Sequence, residues 1–252
     1  MMAHTTAIVL AAGKGTRMKS SLPKVLYPVL GRPMIHWVID ALEKIGVDRK
    51  ILVVGYEADM VRAELSGRGG IEFALQAEQL GTGHAVQMAK NLLPPSGGRV
   101  LILAGDSPLV QPASLERLLK RFDEGGFDCL LGTLHKENPF GLGRIVRDQS
   151  GAFLKIVEQK DANDREKSIT EVNMSTYAFD NEALQWALSR LTNQNAQGEF
   201  YLTDCPAILR EAGRKVEAAA VLEACEALSI NTQEEAGLVE ARMKEMGYSC
   251  ES

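Results

Sequence analysis

Between Ala7 and Lys24 the chain passes from four aliphatic residues, Ala7-Ile8-Val9-Leu10, into small ones (Ala11, Ala12, Gly13, Gly15) and then into cations (Lys14, Arg17, Lys24). An apolar run of this kind fits a buried strand. Small residues at its end let a ligand approach the backbone, and consecutive N–H groups in such a turn can form a nest for phosphate oxygens. The lysines and the guanidinium fork of Arg17 add charge for the same anion. A strand that ends in a glycine-rich, cationic loop suits a nucleotide-phosphate site. The spacing excludes two commoner designs. There is no GxxxxGK[ST], and Gly13 and Gly15 are followed by Thr16, Arg17 and Met18, so GxGxxG is also missing.

The rest of the chain alternates strand and helix signals. Pro33 opens a helical pattern over Met34–Leu42, with Gly46 near its stop, and Lys50–Val54 is a second apolar strand. Glu57–Leu65 and Gly83–Leu93 are expected helices, while Ile71–Leu75 and Val100–Ala104 are expected strands. This alternation predicts an α/β fold with a Rossmann-like, mixed but mainly parallel sheet flanked by helices. Ligands in such sheets sit outside the carboxyl ends of the strands. That places the Gly13 loop and the Gly105-Asp106 turn on one rim. Beyond residue 110 the pattern is less regular. Pro112–Phe122, Glu182–Leu191, Glu199–Ala212 and Gln233–Met246 are expected helices, Asp128–Leu134, Val172–Phe179 and Val216–Val221 strands, and Arg144–Val146 with Phe153–Val157 a hairpin. We expect a single domain over 1–252, with a nucleotide half (about 5–110), a more irregular sugar half (about 111–232) and a helical tail (233–252).

Several residues admit both a chemical and a structural role. Gln76, Gly81 and Thr82 place an amide beside a glycine turn; an amide can donate and accept together, as a uracil edge requires, but Thr82 also suits a helix cap. Asp106 follows a buried strand, where it can hold Mg²⁺ or cap a turn. Glu158 and Lys160 share a strand face if the strand continues, which is also the pattern of a solvated ion pair. His4, His36, His84 and His135 have no paired spacing for a metal.

Taken together, LAAGKGTRM followed by LPK resembles the signature of the sugar-1-phosphate nucleotidyltransferases. Further strings from Leu75 to Asn231 resemble the uridylyltransferase domain of the bacterial bifunctional N-acetylglucosamine-1-phosphate uridylyltransferase/glucosamine-1-phosphate acetyltransferase family: LQAEQLGTGHA, AGDSPL, GLGRIV, IVEQKDA, EVNMS, NAQGEFYLTD and SINT. The resemblance implies transfer of UMP from UTP to N-acetylglucosamine 1-phosphate with release of pyrophosphate, for cell-wall precursor synthesis. It implies Mg²⁺ as cofactor, held by Asp106 and Asn231, and Arg17 and Lys24 as the catalytic cations. It assigns Leu10, Ala11, Ala12, Gly13, Gln76, Gly81, Thr82, Ala104, Gly105 and Asn231 to substrate contacts, with Gly143, Glu158 and Asn173 on the sugar side. The chain departs from the motifs at Leu142, where tyrosine is common, and at Met174-Ser175, where Thr-Gly is usual. These departures leave the sugar open, glucose 1-phosphate being the alternative. A thymidylyltransferase, a cytidylyltransferase for a non-sugar alcohol phosphate and a catalytically inactive sugar-nucleotide sensor are further alternatives. The roles of Lys160, Glu199 and Tyr201 stay open. Hexapeptide repeats are absent, so acetyl transfer is not expected.

The partners expected are therefore small molecules, UTP and a sugar 1-phosphate. A net charge of −5 gives no ground for nucleic-acid or membrane binding, and no apolar run approaches a membrane span. Cys129, Cys205, Cys225 and Cys250 are scattered and suit free thiols in a reducing compartment. With no signal-peptide pattern, a cytoplasmic location is expected.

Overall fold

The computed structural model describes residues 4–249. Residues 5–10 alternate between two packed faces. Ala7, Val9 and Ala11 enter one apolar cluster with Leu52, Val54, Leu101 and Leu103, while Ile8 enters the opposite one with Ile51, Val53, Val100 and Ile102. A period of two with both faces apolar leaves no solvated side, so this strand, β1 (Thr5–Ala11), lies inside the sheet.

A short ribbon, β2 (Pro28–Val29) and β3 (Arg32–Pro33), leads into α1 (Met34–Lys44). Then follow β4 (Arg49–Val54), α2 (Ala58–Glu64), β5 (Ile71–Leu75), α3 (Thr82–Met88) and β6 (Arg99–Ala104). Strands β5, β4, β1 and β6 are adjacent and parallel. Next come α4 (Pro112–Gly125), with proline in its first turn and left-handed Gly126 as its stop, and β7 (Cys129–His135). The hairpin β8 (Gly143–Arg147) and β9 (Phe153–Val157) forms as expected, followed by α5 (Asp164–Lys167) and the long β10 (Glu171–Asp180). The chain ends with α6 (Asn181–Leu188), α7 (Cys205–Glu211), β11 (Val216–Ala219) and α8 (Gln233–Glu245).

The sheet order is β11-β7-β10-β6-β1-β4-β5, with β10 antiparallel to both of its neighbours and the hairpin joined through β8. The expected mixed, mainly parallel sheet between helices is therefore what forms. Strand β10 is bulged: Asn173 pairs with Thr133 and Thr176 with Gly132, leaving Met174 and Ser175 as extra residues between adjacent partners.

Some boundaries differ from expectation. The helix expected over Glu199–Ala212 is confined to Cys205–Glu211, after a 3₁₀ turn at Leu202–Asp204. Pro206 lacks an N–H and fits only a first turn, so a helix starting at Glu199 would place it in the interior. The freed backbone is used instead: Phe200 N donates to Leu80 O at 2.8 Å and Phe200 O accepts from Gly83 N at 2.7 Å. The helix expected to reach Leu93 stops at Met88 and continues as a 3₁₀ turn over Lys90–Leu92, and α6 ends at Leu188 rather than Leu191. Strand β9 ends at Val157, so Glu158 and Lys160 do not share a strand face. Glu158 O accepts from the amides of Asp161 and Ala162 in a turn, and Lys160 bonds to Gln197.

Cys129, Cys205 and Cys225 are free and buried, and Cys250 lies outside the described residues. Among the described residues no helix is long and apolar enough to cross a membrane.

Candidate nucleotide and sugar-phosphate site

Strands β1, β5 and β6 all end on the same rim. After β1 the chain turns through left-handed Gly15, against whose Cα side the Lys24 side chain is packed. A Cβ on Gly15 would lie 2.7 Å from Lys24 Cβ, so the turn needs both the positive φ of 66° and the missing side chain. Gly105, after β6, donates its N–H to Leu10 O at 2.9 Å and ties the two strand ends together. Asp106 follows directly.

The Lys24 ammonium lies between two oxygens, Asp106 Oδ2 at 2.5 Å and Asn231 Oδ1 at 2.8 Å. Arg17 donates to the same Asn231 oxygen at 2.9 Å. Residues more than two hundred positions apart thus converge on one charged cluster. Asn231 is delivered by α8: its backbone N–H donates to Glu235 Oε2 at 2.6 Å, and Glu235 belongs to the capping box that Thr232 forms at the helix start. Lys14, Gly15, Thr16, Arg17, Lys24 and Asn231 enclose a cavity of about 280 Å³, together with Gln79.

Gln79 also lines the adjoining cavity of about 450 Å³, with Leu10, Ala12, Gly13, Gln76, Gly81, Thr82, Ala104 and Asp106. Ala11 is buried beneath them in β1. The Gln76 amide nitrogen donates to Gly81 O at 3.0 Å and faces His84 Nδ1 at 3.1 Å, which leaves its carbonyl oxygen as the polar atom available to a ligand. Gly81 has φ 110°, and a Cβ there would come within 2.5 Å of Phe200 O. Thr82 Oγ1 accepts from the Leu202 amide, so its hydroxyl joins α3 to the 199–204 segment rather than capping its own helix.

Gly143, Glu158 and Asn173 form a second group. A Cβ on Gly143 would sit 3.5 Å from both Asn173 Cβ and Glu158 Oε1. Burial pushes the Glu158 carboxyl above its usual range, against the bond it accepts from Thr203 at 3.0 Å. Buried Arg144 lies beside it, its guanidinium shifted down by burial. Asn173 is buried with both amide atoms engaged: Nδ2 donates to Tyr177 OH at 2.7 Å, and Oδ1 accepts from Ser175 N at 3.2 Å. These three residues are together, but they do not line the larger cavity.

Four residues that do line it, Gln79, Ala85, Ser175 and Glu199, were not among the expected contacts. All of them stand inside the quoted strings, and Pro206, which fits only the first turn of a helix, leaves Glu199 in the loop before it. Lys14, beside them, lies 4.9 Å from the Tyr56 ring centroid.

Asp106 and Asn231 offer a carboxylate and an amide oxygen, both hard donors, and both already bind one cation, the Lys24 ammonium. That donor set fits Mg²⁺, which typically takes one or two protein ligands and fills its shell with phosphate oxygens and water.

The match of residues 7–171 to the family model described as MobA-like NTP transferase domain agrees with this arrangement. Two curated proteins, each named bifunctional protein GlmU, are 45% identical over 96% of this chain (Bacillus cereus strain G9842) and 48% identical over 89% of it (Lactococcus lactis subsp. lactis). The chain covers 52% and 49% of their lengths, so it spans about half of these relatives. Among solved structures, a Bacillus anthracis protein assigned by name only as a glucose-1-phosphate thymidylyltransferase, in complex with a sucrose, superposes with a TM-score of 0.78 at 17% identity, covering 97% of each chain. HddC from Yersinia pseudotuberculosis gives 0.69 at 20% identity, covering 95% of this chain and 99% of its own. At those identities the likeness is one of fold. The family match spans well over half of the residues, and the chain belongs to the MobA-like NTP transferase family.

Proposed function

We propose that this chain is an Mg²⁺-dependent uridylyltransferase that joins UTP and N-acetylglucosamine 1-phosphate into UDP-N-acetylglucosamine with release of pyrophosphate. The observation that carries the reading is the convergence of Arg17, Lys24, Asp106 and Asn231 at the ends of β1 and β6. A sensor that only holds a sugar nucleotide has no need of a second cation for a leaving group. The resemblance of the motif strings to a uridylyltransferase domain supports the choice of substrates, as does the Gln76 carbonyl oxygen. It can accept the N3–H of uracil, whereas cytosine presents an acceptor there.

The attacking oxygen belongs to a phosphate that is already anionic at neutral pH, so no general base is required. The residues then have to align the sugar phosphate with the α-phosphorus and neutralise charge as it develops. Arg17 holds the β,γ-phosphates while pyrophosphate leaves, and Lys24 neutralises the α-phosphate. Leu10–Gly13, Ala104 and Gly105 bring backbone close to the nucleotide. Asp106 and Asn231 hold Mg²⁺, which supplies further neutralisation of the phosphate oxygens when bound. Lys24 bonds to the same two oxygens and so stands where its ammonium can neutralise the phosphate. Gly143, Glu158 and Asn173 form the floor of the sugar half.

The test is pyrophosphate release with Mg²⁺, crossing UTP, dTTP and CTP against N-acetylglucosamine 1-phosphate and glucose 1-phosphate. Selective release with UTP and N-acetylglucosamine 1-phosphate is expected. Release only with glucose 1-phosphate would keep the mechanism and move the substrate. UTP binding without release from any pair would leave a sensor.

A further inference from the structure

Resting on that reading, we propose that Ser175 is a further residue of β10 that meets the sugar of the substrate, held in place by Asn173. Ser175 is in the left-handed region at φ 54°, a conformation that disfavours any side chain and is held only where surrounding structure imposes it. It is one of the two residues extruded by the β10 bulge, a device that re-aims side chains beside sites. Its partner in the bulge, Met174, packs with Leu142 against Leu134, Val172 and Ala227. Ser175 itself lines the larger cavity with Asp106, Thr82 and Glu199. The two departures from the resembled motifs are therefore coupled: Leu142 and Met174 form one apolar support, and Ser175 stands where that motif has glycine.

Asn173 holds Ser175 in place. Its Nδ2 donates to the buried Tyr177 hydroxyl, and its Oδ1 accepts from the Ser175 backbone N–H. That second bond fixes the left-handed turn, and of the two residues it is Ser175 that lines the cavity. Ser175 has a hydroxyl that can both donate and accept, which suits the hydroxyls and N-acyl group of a hexose phosphate. Ser175 reaches this cavity from the strand that carries Asn173, whereas Gln76, Gly81 and Thr82 reach it from the β5–α3 segment, so its contact is assigned to the sugar and not the base.

The experiment is calorimetric binding of UDP-N-acetylglucosamine, UDP-glucose and UDP, with Mg²⁺, to wild type, Ser175→Ala and Ser175→Gly. Ser175→Ala keeps the Cβ and removes only the hydroxyl; Ser175→Gly also relieves the left-handed strain and raises the thermal midpoint. Both variants should bind the preferred UDP-sugar about threefold to tenfold more weakly, the range expected for one neutral hydrogen bond, with UDP affinity unchanged. The proposal is overturned if both variants bind the UDP-sugars as wild type does, even with a raised midpoint. It is also overturned if wild type binds neither UDP-sugar more tightly than UDP. A wild type that releases no pyrophosphate but loses UDP-sugar affinity in Ser175→Ala would defeat the catalytic reading and leave this one standing.

Discussion

In the folded chain the Lys24 ammonium is shared between Asp106 and Asn231, and the proposed transfer requires the same charge on the phosphate. Lys24→Ala is expected to lower kcat for pyrophosphate release by about 10²–10³-fold, the cost of losing one preorganised charge donor. Lys24→Arg should recover little, because a planar fork does not replace a compact ammonium between two oxygens. Asp106→Ala should abolish turnover, and far-ultraviolet circular dichroism should show both folds intact. Asp204 gives a test of electrostatics away from the reacting atoms. Its carboxyl is held above the usual range, first by burial and then by the charge of Asp161. The folded state therefore keeps this proton to higher pH than the unfolded chain does. Stability falls as pH rises through and above the ordinary carboxylate range, and the loss is complete once the folded group has ionised. Asp204→Asn should raise the thermal midpoint at pH 7 and give no advantage at pH 3.

At the scale of elements, the site depends on two packed turns. The β5–α3 loop leans on the 199–204 segment through Gly81 and Gly83, where any Cβ would meet the Phe200 backbone. Gly81→Ala combines that clash with a strained φ of 110°, so a loss of about 1–3 kcal/mol or more in chemical denaturation is expected, along with a raised KM for UTP. The start of α8 is the other turn. Thr232→Ala removes a cap whose side chain accepts from Glu235 N, at a cost of about 0.5–2 kcal/mol. Because Glu235 also holds the Asn231 amide, the same variant should need more Mg²⁺ for half-maximal activity. The strands and helices of the first hundred residues were legible because continuous apolar runs and Pro/Gly punctuation give buried strands and helix limits directly. Residues 199–204 were not, since their backbone pairs with Leu80 and Gly83, a partner more than a hundred positions away.

Over the whole molecule, binding should be visible as stabilisation. A ligand at about 100 times its Kd adds about 2.7 kcal/mol to the folded state. For a chain of this length that corresponds to a midpoint shift of roughly 5–11 °C. Saturating UDP-N-acetylglucosamine with Mg²⁺ should produce such a shift in a thermal melt, and Asp106→Ala should reduce it.

Sequence alone determined the layer architecture, because continuous apolar runs leave parallel strands no solvated face. It also determined the glycine-rich, cationic loop, because Gly13, Lys14, Gly15, Arg17 and Lys24 are neighbours along the chain. Tertiary structure decided what reaches that loop from elsewhere. Asn231 arrives through the cap of α8, Gln79 lines two cavities and donates to Ala12 O at 2.8 Å, and a bulge in β10 leaves Asn173 buried and Ser175 lining the larger of the two. Local patterns follow from the spacing of residues, whereas a bulge and a bond across two hundred residues depend on which strands pair.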